Sequence, residues 1–133
     1  MTSKSYVKAF NEVLEQFFQE LMSMYPDNSK IKLNHSLFQT VCKTNVKKPA
    51  MEFMESAIPH LEKMANRDES IMFAPNRPEI IDKLNVPVLW AGMSDKTKTA
   101  IWDYMFTLLK LANMFIETPV EVRQVIDYVI STQ

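Results

Sequence analysis

The sequence predicts an all-α protein: a single helical domain over residues 1–133, built as a bundle of five to six helices around a central apolar helix at residues 94–116. Two observations predict this class. Apolar residues recur every three to four positions along most of the chain, which is the helical period. The 133 residues also include one glycine, and tight hairpins and phosphate-binding loops depend on glycine because it adopts positive φ at little cost.

The first two helices are predicted from apolar faces at helical spacing. The first, SYVKAFNEVLEQFFQELMSMYP at residues 5–26, ends at Pro26, which cannot continue a helix. Its apolar face comprises Tyr6, Phe10, Val13, Leu14, Phe17, Phe18, Leu21, Met22 and Tyr25. The second, KIKLNHSLFQTVCKTN at residues 30–45, has a weaker pattern with a face of Leu33, Leu37, Phe38, Val41 and Cys42. Both helices are expected to pack through these faces.

The next part of the chain contains prolines that divide the helical pattern. In residues 47–69, Pro49 suits the first turn of a helix, and Pro59 predicts a kink or break because it removes a ladder hydrogen bond. Residues 70–93 are less regular, with a short helix expected at Pro78–Leu84. The remainder is expected to return Phe73, Leu89 and Trp90 to the core.

Residues 94–116 predict the central helix. Ser94 is a favourable N-cap, and the polar residues form a narrow stripe of Asp103, Thr107, Lys110 and Glu117. The other directions beyond Tyr104 are apolar or small, as in a helix that packs on several neighbours.

The final helix is predicted from TPVEVRQVIDYVIS at residues 118–131. Thr118 and Glu121 have the spacing of a capping box, with Pro119 at the first helical position. Its predicted apolar face comprises Val122, Val125, Ile126, Val129 and Ile130.

The residues that carry chemistry do not form a recognisable catalytic pattern. One glycine cannot support a GxSxG, Walker-type or GxGxxG motif. His35 and Cys42 lie two helical turns apart, roughly 10 Å, which is too far for a thiolate–imidazole pair. His60, Asp68 and Glu69 lack the spacing of a metal site. We therefore expect no enzyme activity, catalytic residue, metal or cofactor.

One charge feature stands out in a chain whose net charge is −1. From Asn28 to Met51 there is no acidic residue, whereas five lysines fall inside this segment: Lys30, Lys32, Lys43, Lys47 and Lys48. A patch of this kind would contact phosphates or an acidic protein partner. The alternative is an ordinary solvated surface. Base-specific reading is disfavoured because the segment has no arginine.

The C-terminal half resembles a known group of proteins. The matching residues are Trp90, Ser94, Lys96, Thr97, Lys98, Ile101, Trp102, Tyr104, Leu108, Leu111 and Ala112, with Tyr25 and Pro26 upstream. In this run the chain is similar to small, uncharacterised helical proteins of large double-stranded DNA viruses of algae and amoebae. The likeness is loose elsewhere. It implies a viral, helical, non-enzymatic protein and supplies no catalytic residues.

These observations together favour a protein-interaction or structural protein, a virion or replication-site component that binds itself or a host protein. Trp90, Trp102 and Tyr104 are expected to be packing residues. The alternatives are a nucleic-acid-binding accessory protein that uses the lysines and a Bcl-2-like binder of a helix, which requires an open apolar groove beside the central helix.

The sequence also bears on location. The N-terminus has no uninterrupted apolar core of the signal-peptide type. The longest apolar run, Met105 to Ile116, spans roughly half of a membrane helix. We expect a soluble, intracellular protein that is not secreted and does not span a membrane, located in the host cytoplasm or the virion if it is viral.

Overall fold

The computed structural model of the protein describes residues 2–133, and within them it confirms the all-α class. The α-helices are α1 (Ser3–Met24), α2 (Ser29–Thr44), α3 (Lys48–Ala57), α4 (Leu61–Ala65), α5 (Glu79–Lys83), α6 (Val86–Leu89), α7 (Asp95–Asn113) and α8 (Val120–Ser131). Short 3-10 segments occupy Ile58–His60, Glu69–Phe73 and Trp90–Gly92, and no β-strand occurs in residues 2–133. Five of the α-helices have ten residues or more, in agreement with the predicted bundle.

Helix α7 is the central helix, as predicted. It packs against α1, α3 and α8, and its buried side chains include Ile101, Met105, Leu108 and Leu109. The Ser94 side chain accepts a hydrogen bond from the Thr97 backbone N–H at 3.2 Å, so the predicted N-cap is present. The polar stripe of Asp103, Thr107, Lys110 and Glu117 is exposed.

The end of α7 lies at Asn113, three residues before the predicted end at 116. The Asn113 side chain is 5% exposed, and its Nδ2 donates to Asp127 of α8 at 2.9 Å. The end of the central helix is therefore tied to the last helix before the chain turns toward Pro119.

Aromatic side chains fill the space around α7. Tyr104 stacks on Phe17 of α1 with ring centroids 4.5 Å apart, and Trp90 and Trp102 meet edge to face at 6.4 Å. The indole N–H of Trp90 donates to Glu69 Oε2 at 3.0 Å, which satisfies its polar atom. The interpretation of both tryptophans and Tyr104 as packing residues agrees with this arrangement.

The prolines act where expected. Pro49 occupies the first turn of α3, and the helical pattern breaks into a 3-10 segment at Pro59. The short helix expected at Pro78–Leu84 is α5. The expectation for Phe73 was wrong: its side chain is 51% exposed, because the 3-10 segment Glu69–Phe73 buries Ile71 and Met72 instead.

The predicted buried face of α2 was partly wrong. Phe38, Val41 and Cys42 are half-buried as the prediction required, but Leu33 and Leu37 are 61% and 53% exposed, whereas Ile31 is fully buried. The inward face follows Ile31, His35 and Phe38, at steps of four and three. A polar residue occupies a core-facing position because Glu15 of α1 satisfies it, so a pattern read from apolar residues alone rotates the predicted face away from Ile31.

The predicted capping box of the last helix does not form. Helix α8 begins at Val120 with Pro119 at its N-cap and no side-chain cap hydrogen bond. The Thr118 hydroxyl is buried without a partner, since it lies one position outside the helix start. Val125, predicted to be apolar and inward, is 45% exposed, and α8 docks mainly through Ile126 and Val129.

None of the described helices combines the length and the hydropathy needed to cross a bilayer.

Candidate binding groove

The five lysines of the acid-free segment lie at opposite ends of α2 rather than in one patch. Lys30 and Lys32 are in its first turn, and Lys43 is in its last; thirteen residues of helix separate these ends by about 20 Å. Lys47 and Lys48 follow Lys43, in the connection to α3 and at its first residue.

The surroundings of the lysines also differ. The Lys30 amine lies 3.6 Å from Asp82, and the Lys48 amine lies 3.7 Å from Glu52. Lys43 and Lys47 form no ion pair with any carboxylate of residues 2–133 and border a groove. Lys32 likewise forms no ion pair within residues 2–133, but it does not line the groove, so Lys43 and Lys47 are the members of the five that bring unpaired positive charge to it.

This groove, called the lysine groove below, lies between the N-terminal part of α1 and the C-terminal part of α2. Its volume is about 1060 Å³. One wall is a stripe of α1: Ser3, Lys4, Val7, Lys8, Asn11, Glu12, Glu15 and Gln16. The other wall comes from α2 and the following turn: Phe38, Gln39, Cys42, Lys43, Val46 and Lys47.

The floor of the lysine groove is apolar. Val7 is buried, Phe38 and Cys42 are half-buried, and Val46 is 50% exposed. The Asn11 Nδ2 donates to the Val46 carbonyl at 2.9 Å, which ties the two walls together at the level of the floor. An apolar side chain placed in this groove would be removed from water on several sides.

The rim of the lysine groove carries an excess of positive charge. Four lysines line it, namely Lys4, Lys8, Lys43 and Lys47, against the two acids Glu12 and Glu15. Lys8 lies 3.9 Å from Glu12. Glu15 is engaged within the fold, so Lys4, Lys43 and Lys47 are left to face solvent without a carboxylate partner among the described residues.

Glu15 fastens α2 to α1 at one end of the groove. Its Oε2 lies 2.6 Å from Nε2 of His35 and accepts from Gln19 at 2.8 Å, and its Oε1 accepts from Gln39 at 3.1 Å. Burial of the carboxyl raises its pKa, but the hydrogen bonds from Gln19, His35 and Gln39 outweigh burial, and the pKa of Glu15 lies below its ordinary value.

The side chains considered for catalytic or metal chemistry lie in surroundings that suit a structural role. Burial, together with the charge of Glu15, raises the pKa of the Cys42 thiol, which favours the protonated form. His60 is 5% exposed, and its Nε2 lies 2.8 Å from the Asn76 carbonyl. In residues 2–133, no cluster of three or more His, Cys, Asp or Glu side chains has the arrangement of a metal site.

The sequence indicated only part of this groove. Lys43 and Lys47 were predicted as contact residues, but Lys4 and Lys8 were not. Lys4 and Lys8 are four residues apart within α1, which places them on one side of that helix, whereas Lys47 lies in the turn after α2. Their convergence depends on how α1 and α2 cross, and a single sequence carries no signal for that.

The groove required for a Bcl-2-like binder would lie beside the central helix. The lysine groove has no wall from α7, since its residues come from α1, α2 and the turn after α2.

In comparisons with known proteins, no protein-family model, no curated protein and no solved structure matches this chain significantly.

Proposed function

We propose that this chain is a non-enzymatic protein-interaction module whose lysine groove binds an acidic amphipathic helix of a partner protein. The observation that carries the proposal is the combination of an apolar floor, at Val7, Phe38 and Val46, with rim lysines that lack acidic partners. An amphipathic helix in a groove is a common mode of peptide recognition, with apolar anchors on one face and charges at its edge.

The length of the groove suits such an occupant. The α1 wall extends from Ser3 to Gln16, a distance of about 20 Å along the helix axis, which matches a partner helix of about 14 residues. Carboxylates flanking its apolar face would approach Lys4 on one wall and Lys43 and Lys47 on the other. Complementary charges of this kind favour an acidic partner, and like charges placed opposite it would weaken its binding.

An apolar floor also distinguishes this proposal from nucleic-acid binding. Phosphates require only the rim charges, whereas Val7 and Val46 would remain without a partner under a nucleic acid. Phe38 is half-buried and stacked on Phe18 with centroids 5.4 Å apart, and it is the one aromatic side chain that lines the groove, whereas single-stranded nucleic acids are bound on several stacking aromatic side chains.

The test is a binding titration with designed peptides. An amphipathic peptide of about 14 residues would carry leucines on one face and glutamates beside them, and a second peptide would replace the glutamates by glutamines. The variant Lys43→Glu/Lys47→Glu reverses charge at the groove. The matched control Lys32→Glu/Lys110→Glu makes the same change in net charge at exposed lysines outside it.

We expect the wild-type protein to bind the acidic peptide, and the groove variant to bind it about tenfold more weakly or worse. The control variant should stay within about twofold of wild type, because distant surface charges are largely screened. Equal losses in the two variants, or equal binding of the glutamine peptide, would contradict the proposal. The nucleic-acid alternative would be favoured if a single-stranded oligonucleotide bound the wild-type protein with steep salt dependence and did not bind the groove variant.

The proposal extends to a viral setting, as a virion or replication-site component, and this part rests on the resemblance of residues 90–112, with Tyr25 and Pro26 upstream. Affinity purification of the tagged chain from infected cells tests it. A protein partner that survives nuclease and high salt supports the setting and the interaction role. Material released by nuclease or by modest salt would instead support the nucleic-acid alternative.

A further inference from the structure

A second concave site, called the apolar pocket below, lies on the other side of α2. Its volume is about 280 Å³, and four helices line it. The apolar lining residues are Leu14 and Phe18 of α1, Leu37, Phe38 and Val41 of α2, Pro49 and Phe53 of α3, and Ile80 of α5. The polar residues at its edge are Asn34, Lys48, Glu52, Glu79 and Lys83.

The walls of the apolar pocket belong to the core. Leu14, Phe18, Phe53 and Ile80 are each 6% exposed or less, although they border open space. Leu37 of α2 borders the same space and is 53% exposed, so the pocket is open to solvent on the side of α2. Side chains that line such a gap lack contacts on one side, so an apolar occupant would gain dispersion contacts as well as leave water.

The charges at the mouth of the pocket neutralise one another. The Lys48 amine lies 3.7 Å from Glu52, and the Lys83 amine lies 3.4 Å from Glu52 and 3.6 Å from Glu79. Two lysines and two glutamates leave no net charge. An ionised ligand would have to disturb a pair to be neutralised, whereas an uncharged ligand would leave all the pairs intact.

The volume of the pocket limits the size of its ligand. A cavity of about 150 Å³ lined by Leu, Ile and Phe binds benzene. The apolar pocket, at about 280 Å³, has nearly twice that volume with similar walls. We propose that it binds a compact, neutral, apolar small molecule of about the size of two fused aromatic rings.

This inference does not depend on the peptide-binding function, because the two sites lie on opposite sides of α2. Phe38 is the residue that lines both of them. A ligand in the apolar pocket therefore contacts a side chain that also contributes to the floor of the lysine groove.

The test uses indole as a neutral two-ring probe and an indole carboxylate as its charged analogue. Binding is followed by the methyl resonances of Leu14 and Ile80, which border the pocket. The variant Val41→Phe places a larger side chain at the pocket. The matched control Val125→Phe makes the same substitution on α8, where Val125 is 45% exposed and lies outside the pocket.

We expect saturable shifts of both methyl groups with indole and at least about tenfold weaker binding to Val41→Phe, since the added ring competes for the same space. Val125→Phe should bind indole like the wild type, and an unchanged urea-denaturation midpoint of Val41→Phe should show that this variant is folded. No saturable shift in the wild type, or equal binding by the two variants, would overturn the assignment of the site. Equal binding of the carboxylate would overturn the preference for a neutral ligand.

Discussion

The Nε2 atom of His35 lies 2.6 Å from Oε2 of Glu15, and this contact joins α2 to α1 at one end of the lysine groove. Helix α2 has sixteen residues, of which only Ile31 is fully buried. A helix with so little buried apolar area gains a larger share of its docking from polar contacts. The Glu15–His35 pair therefore helps to hold α2 against α1.

Replacing His35 by alanine should destabilise the protein. The variant loses a hydrogen bond to a carboxylate and the packing of the imidazole near Phe18, whose ring centroid is 5.4 Å away. We expect a loss of about 1–3 kcal/mol in the free energy of unfolding, measured by urea denaturation. Gln39→Ala is the comparison, since it removes a single exposed hydrogen bond to the same carboxyl and should cost less. A larger effect for Gln39→Ala would contradict this ranking.

Acid should weaken the contribution of Glu15. Its pKa is lowered in the folded protein, so the stabilisation is present at pH values above the ordinary value of 4.5 and is lost as pH falls through the folded-state pKa. Glu15→Gln should therefore be less stable than wild type at neutral pH, and the difference should shrink in acid. Urea denaturation at a series of pH values measures it. A difference that stays constant across the series would show that the charge of Glu15 is not responsible.

Alanine substitutions should distinguish the two faces of α2. Ile31→Ala should cost about 2–4 kcal/mol, because Ile31 is fully buried. Leu33→Ala should change the free energy of unfolding by no more than about 0.5 kcal/mol, because Leu33 is 61% exposed. Chemical denaturation of both variants compares them directly. Similar losses would mean that α2 packs through the face that its apolar pattern suggests.

Tyr104 should ionise only in strong alkali. Burial, with a hydrogen bond to Glu20 and the charge of Glu20, raises the pKa of Tyr104 to about 12. Ultraviolet absorbance against pH should show a late phenol step near that value, and Tyr104→Phe should remove that step. If the variant keeps the late step, a different tyrosine or unfolding of the chain produces it.

The sequence predicted the helical elements better than their faces. A long, strongly amphipathic segment such as α1, and one such as α7 that is apolar in most directions beyond Tyr104, leave few choices of packing, and both were predicted with the right orientation. The prediction for α2 was partly wrong because His35 lies at a core-facing position. Its polar ring is satisfied there by Glu15, a residue twenty positions away. Non-local pairing of this kind leaves no periodic signal in one sequence.

The same reason limits what the sequence says about the sites. Lys43 and Lys47 could be identified from the absence of acids around them. The residues of the opposite wall of the groove, such as Lys4 and Val7, lie on another helix. The apolar pocket was not predicted at all. Its lining residues belong to α1, α2, α3 and α5, which come together only in the folded chain.

The most direct test of the lysine groove as a peptide-binding site is a nuclear magnetic resonance titration of the labelled wild-type protein with the acidic amphipathic peptide. The account predicts saturable shifts that concentrate at Val7, Phe38, Cys42 and Val46, on the two walls of the groove. Shifts that concentrate around Lys32 at the other end of α2, or the absence of saturable shifts, would contradict it.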